Sequence, residues 1–250
     1  MTRTCRGIRH RLDAVMPDFV VPPALTTAKF VLVVLVVQAM LLYAVYRTGS
    51  CPGSRRRRVA ATAAVFLLIM AGTAALAESG FLAADLRRAF VYVTVTLLAA
   101  IVLGFGRPGA ALAAAVAPVY WVLFHGFRLP LEIVLRAWAE AGTIPVQMTW
   151  DGQNFDVVAG ALALVLGAAW LARPKAAWLG VVAHLVGLAL LLNVIRVAAL
   201  SLPTSFRAFE GPPLLLAVHA PYTWIVPFAV GAALFGHIVG LRAIRKARVD

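Results

Sequence analysis

A chain of 250 residues that is 62% hydrophobic and 13% charged carries about half the charge of an ordinary soluble domain, so water is not its main solvent. Its 23 Lys+Arg outweigh 10 Asp+Glu, an excess that suits nucleic acid, anionic lipid or basic membrane loops, and placement along the chain decides among them. The two cysteines, Cys5 and Cys51, sit in a tail and in an arginine-rich loop, which excludes a disulfide framework and a cysteine metal pair.

The chain starts with a basic tail, residues 1–24, holding Arg3, Arg6, Arg9 and Arg11. No apolar core precedes Pro22-Pro23, so the tail is not a cleaved signal; its Asp13–Val21 part is a candidate interfacial element. Apolar runs of membrane-crossing length, about 20 residues, then follow at Leu25–Tyr46, Val59–Ala77, Ala89–Phe105, Ala110–Phe127, Val157–Ala172, Ala176–Leu200 and Leu214–Gly236. Backbone groups in lipid must pair within their own segment, which makes each run a helix. The expectation is an all-α membrane protein, a single domain over residues 25–241 with about seven transmembrane helices. Residues 242–250 form a basic tail.

Arginine and lysine collect in alternate loops. Arg55-Arg56-Arg57-Arg58, Arg107, Arg173 with Lys175, and Arg242, Arg245, Lys246 and Arg248 all fall on one side of seven crossings. By the positive-inside rule that side, with the C-terminus, is cytoplasmic. The basic excess thus belongs to membrane loops and the lipid bilayer, and nucleic acid is not an expected partner. The arginine-heavy, lysine-poor usage points to a GC-rich bacterium and its inner membrane.

The outer segment 127–156 departs from the spanning pattern. Arg128, Glu132, Arg136 and Glu140 recur every fourth residue, which lines them along one face of an amphipathic helix as a ladder of solvated pairs. Pro130 suits a first turn and Gly142 a C′ position. Beyond it, Val146, Met148 and Trp150 alternate with polar residues up to Asp151-Gly152, the pattern of a short β-hairpin.

Ionisable groups inside a span cost about 2.5–3.5 kcal/mol each on insertion scales, so each one is a functional candidate. Asn193 and Arg196 share a face near the outer end of the sixth run, with His219 and His125 near the outer ends of the seventh and fourth. An outer pocket gathering His125, Arg128, Glu132, Asn154, Asn193, Arg196 and His219 is expected, with Arg196, His219 and His125 as catalytic candidates and the others as binding groups. His184 and His237 read as isolated packed residues, and Pro221 and Pro227 as kinks. No metal site is expected, because no His/Asp/Glu pair has helical ligand spacing with a third ligand nearby. Phosphate-loop, dinucleotide and GxSxG signatures are missing, so no cofactor is expected.

The run of Thr143-Ile144-Pro145-Val146, the extended stretch after it, Asn193-Val194-Ile195-Arg196 and then His219 resembles the exosortase/archaeosortase family of polytopic membrane cysteine transpeptidases. The resemblance covers roughly 118–235. It implies a similar bundle with Arg196 and His219 at its outer face. The family's Cys-Ser-Gly falls on Val158-Ala159-Gly160, so its thiol chemistry is not implied. Phe127-Arg128-Leu129-Pro130-Leu131-Glu132 and residues 148–156 also resemble an uncharacterised family of bacterial membrane proteins. The expected function is binding or accessory work on an exported protein, lipid or glycan; a hydrolase or transferase using His, Arg and Glu, or a small-solute transporter, are the alternatives.

Overall fold

The structure, a computed structural model, describes residues 18–247. The tail arginines Arg3, Arg6, Arg9 and Arg11, Cys5, residues 13–17 of the candidate interfacial element, and Arg248 lie outside the described residues. The chain is all-helical: α1 (Ala24–Arg47), α2 (Pro52–Glu78), α3 (Leu86–Phe105), α4 (Arg107–Ala115), α5 (Pro118–Phe124), α6 (Arg128–Glu140), α7 (Asp156–Ala172), α8 (Ala177–Ser201) and α9 (Ala232–Lys246). Among the described residues, five segments are long and apolar enough to cross a bilayer: α1, α2, α3, α8 and Tyr222–Lys246, which ends in α9. The pair Arg107–Ala115 and Pro118–Glu140 passes the same test only as one span bent by 105°, and α7 has just 17 residues. Seven unbroken spans are therefore not found.

The fourth apolar run is broken for a local reason. Val116 and Ala117 are extended (φ/ψ −128/153 and −58/142) immediately before Pro118, because the proline ring disfavours helical geometry in the residue preceding it. The last run is offset instead. Leu215, Leu216 and Val218 are apolar because they are buried against protein, and the helix begins only after Pro221 with a 3-10 turn at Tyr222–Trp224 and a π-helical turn at Val226–Gly231 that contains Pro227. A π turn holds one extra residue and re-aims the side chains that follow.

Side-chain contacts join the helices at both ends of the bundle. At one end the Arg242 guanidinium of α9 donates to the carbonyls of Gly104 and Gly106, and Trp170, Leu179 and Ile244 pack together from α7, α8 and α9. At the other, the Trp138 indole of α6 donates to Thr26 Oγ1 of α1 (3.1 Å), and Thr27 shares a hydrogen bond with the Tyr222 hydroxyl (3.0 Å). Helix α2 packs along α1 on one side and is otherwise open, with Ala77 its one buried residue. Its Leu67 and Leu68 are 65% and 72% exposed, a liability in water and ordinary against lipid. Between it, α3 and the last segment lies an apolar cleft of about 1040 Å³.

Residues 127–156 correct one sequence expectation and keep another. No strand is found among the described residues, and the expected β-hairpin is a 3-10 turn at Val146–Met148 followed by bonded turns, Gly152 N–H to Thr149 O and Asn154 N–H to Thr149 O. The Asp151-Gly152 signal was real but had another cause: a Cβ on Gly152 would collide with the Gln147 backbone, so glycine permits close approach rather than a hairpin turn. The amphipathic helix does exist as α6. It closes as expected at Gly142, φ +73, with Gly142 N–H bonded to Ala139 O and Thr143 N–H to Trp138 O, a Schellman ending.

Candidate functional site

The solvated ladder on α6 divides in two. Arg136 and Glu140 are exposed and paired at 3.1 Å, with Asp151 at 3.3 Å from the same Nε. Arg128 and Glu132, only 1% exposed, turn inward. The first turn of α6 packs on α7 and the Arg128 side chain reaches α8, so the two rungs have protein partners. Arg128 Nη1 donates to Asp156 Oδ1 (2.9 Å) at the start of α7 and to the Gly187 carbonyl (3.0 Å) of α8. Asn154 Nδ2 donates to Glu132 Oε1 (2.8 Å) and to Met148 O (3.0 Å), and its own Oδ1 accepts from the Asp156 backbone N–H (3.0 Å). One asparagine thus ties the 146–148 turn, α6 and α7 together. Replacing the exposed Arg136 with alanine should cost at most about 1 kcal/mol in an unfolding measurement, the range of surface pairs.

Deeper in the bundle, three histidines meet. His125, in a 3-10 turn joining α5 to α6, stacks on His237 of α9 with ring centroids 3.7 Å apart and planes 12° from parallel. His184 of α8 stands edge-on to both, and its Nδ1 lies 3.1 Å from His237 Nδ1. All three are 3% exposed or less. The sequence pattern presents His184 and His237 as isolated packed residues, and the structure brings both to His125. Small residues make the room: a Cβ at Gly187 would lie 2.6 Å from His237 Cε1, one at Gly236 would lie 3.2 Å from His125 Cε1, and one at Gly240 would overlap the His184 ring. A sequence signal for this cluster existed in His184-x-x-Gly187 and His237-x-x-Gly240, a histidine with glycine one turn on in two separate spans.

The site is short of partners. Both nitrogens of His125, Nε2 of His184 and His237, Nε and Nη2 of Arg128, and Oε2 of Glu132 have no hydrogen-bond partner among the described residues. His237 Nε2 lies beside Gly187 without a hydrogen bond of good geometry. An unsatisfied buried polar group costs about 1–3 kcal/mol, so this many in one place mark groups arranged for something other than fold stability.

Arg128, Glu132 and Asp156 also border a cavity of about 330 Å³ between α3, α6, α8 and the last segment. Leu131, Val194, Ala198, Leu216, Ile225 and Ala229 are among its walls, and the π-helical turn supplies several of them. Its volume is at the small end of ligand pockets, about 300–1,000 Å³, which combine an apolar lining with a few convergent polar groups.

The remaining candidates are elsewhere. Arg196 is exposed; its Nη2 donates to Gln153 Oε1 (3.0 Å) and Asn193 Oδ1 (3.0 Å), while Asn193 Nδ2 donates to Gln153 O (2.7 Å). These two residues fasten α8 to the outer turn. His219 stacks on Phe19 with centroids 4.0 Å apart, and partial burial there lowers its pKa. No hydrogen bond joins Arg196 to His219. The expected seven-residue pocket is thus three separate groups: His125 with His184 and His237; Arg128, Glu132, Asn154 and Asp156; and Asn193 with Arg196, with His219 apart. Val158 is 45% exposed.

No protein-family model, curated protein or solved structure matches the chain.

Proposed function

We propose that this chain is a multi-pass inner-membrane protein that holds the polar end of a neutral amphiphile, a lipid bearing a hydroxyl or carbonyl group, in the cavity bordered by Arg128, Glu132 and Asp156. The observation that carries the reading is that Arg128, Glu132 and Asp156 border an otherwise apolar cavity while Arg128 Nε and Nη2 and Glu132 Oε2 have no hydrogen-bond partner among the described residues. Together they offer donors and an acceptor to one small polar group. An anionic head is disfavoured, because two carboxylates already face the single guanidinium. The apolar walls suit an acyl or isoprenoid chain.

The exosortase-like order of segments supports the same broad role, work on an exported molecule at the outer face, without the thiol step. Seven crossings are part of this proposal: the five long segments, the broken α4–α5–α6 span and the short α7, with the basic loops and the C-terminus cytoplasmic. Supporting it are the side-chain contacts at each end of the bundle and the 17-residue α7, about 26 Å at 1.5 Å per residue against a core of about 30 Å.

The test is mass spectrometry of lipids retained by the full chain purified in mild detergent. A defined neutral lipid should accompany the wild type. Ala198→Phe, which fills the cavity from α8, should reduce it at least tenfold, whereas Leu67→Phe on the exposed face of α2 should leave it unchanged. Equal lipid retention by Ala198→Phe and the wild type would overturn the reading.

A further inference from the structure

The structure assigns a second site, separate from the amphiphile cavity: we infer that His125, His184 and His237 bind one divalent first-row transition-metal ion, with Zn²⁺ the reference ion. Each histidine offers one ring nitrogen, and these three atoms lie within 4.8 Å of one another. Three imidazoles with Zn–N bonds of about 2.0–2.1 Å require nitrogens about 3.3–3.5 Å apart in a tetrahedral site. The His184–His237 pair is already at 3.1 Å, so closure falls mainly on His125. Its ring is stacked on His237 and has to tilt out of that stack to aim a nitrogen at the shared ion. Both of its nitrogens are free to do so.

Four further observations carry the assignment. Of the six ring nitrogens, four have no partner and the other two contact only each other, which is poor packing for histidines and good preorganisation for ligands. The rings come from three different elements, the 125–127 turn, α8 and α9, so an ion would tie those elements together. Glycines at 187, 236 and 240 leave space where the rings crowd. The ligand set is all-imidazole, which suits Zn, Cu, Ni and Fe and disfavours Mg and Ca.

The nearby guanidinium of Arg128 opposes a cation. It is, however, paired with Asp156 at 2.9 Å and donates to Gly187 O, and Glu132 is hydrogen-bonded into the same network through Asn154. With three protein ligands, the fourth coordination position is left for water or another small ligand, as in sites that are not purely structural.

The experiment uses the full chain with an affinity tag that contains no histidine, in detergent micelles, equilibrated with Zn²⁺ and then freed of unbound ion. One Zn²⁺ per chain is expected by elemental analysis, and a hundredfold excess over Kd should raise Tm by about 5 °C or more. His125→Gln, His184→Gln and His237→Gln should each weaken binding at least tenfold, while His219→Gln, outside the cluster, keeps it. Co²⁺ in place of Zn²⁺ should give the visible absorption of a tetrahedral nitrogen-ligated site. That measurement needs only the wild type, and so decides the matter even if the glutamine variants fold poorly. Substoichiometric Zn²⁺ in the wild type, binding unchanged in the glutamine variants, or a Co²⁺ spectrum of octahedral aqueous type would each overturn the assignment.

Discussion

Asp156→Ala is expected to destabilise the protein by about 3 kcal/mol, within the 3–5 kcal/mol range for removing one partner of a buried ion pair. The cost comes from what is left behind and not from the lost attraction: Arg128 is 1% exposed, and without the Asp156 oxygen at 2.9 Å its guanidinium keeps only the Gly187 carbonyl. Glu132, one turn along α6, holds the loss toward the lower end. The double variant Arg128→Met/Asp156→Leu should recover most of the stability, since removing both charges also removes their desolvation penalty. Glu132→Gln should change stability by less than about 1 kcal/mol, because a carboxamide oxygen still accepts from Asn154 Nδ2 at the same geometry. Unfolding in mixed micelles measures all three. A single-variant loss below 1 kcal/mol, or a double variant no better than Asp156→Ala, would show that Arg128 is not held as a buried paired charge.

That network explains how much of the molecule is legible in its sequence. Hydropathy finds the helices because apolar runs face lipid or core alike, and it places α1, α3, α7 and α8 to within a few residues. It reads α2 too short, because the run stops where Arg55-Arg56-Arg57-Arg58 begins and the helix does not: the helix continues back to Pro52. It misreads the fourth and seventh runs, because it cannot tell a straight span from one broken at Val116-Ala117-Pro118, nor lipid-facing leucine from Leu215 and Leu216 packed under a loop. The i,i+4 ladder of α6 is legible as a helix. Which rungs are wet is not, since that depends on α7 packing on its first turn and on α8 meeting Arg128. Arg128, Glu132 and Asn154 stand out in the sequence as polar candidates, whereas Asp156, which holds Arg128, does not. The histidine cluster is hard to read because its members are separated by more than fifty residues each and meet only through tertiary packing; the repeated His-x-x-Gly spacing is a local sign that names no partner.

Gly240→Ala is the second large effect, and it tests that packing directly. The new methyl would occupy space held by the His184 ring and would lie 3.0 Å from Trp121 Cβ. Neither neighbour can retreat, since both side chains are fully buried and well-packed interiors relax only partly. Overpacking of this kind costs about 1–3 kcal/mol and forces off-rotamer side chains, here offset by at most about 1 kcal/mol from alanine's better helix propensity. A net loss of about 1–2 kcal/mol is therefore expected, and His184 should be displaced from His237. Gly72→Ala on α2 supplies the contrast, because nothing lies within 4 Å of a Cβ there, and it should be neutral or slightly stabilising. The same pair separates two roles for the glycine. If Gly240→Ala lowers Tm and weakens Zn²⁺ binding together while Gly72→Ala changes neither, Gly240 serves the alignment of the three imidazoles. A Gly240→Ala protein as stable as the wild type would mean that α8 and α9 do not approach closely at His184.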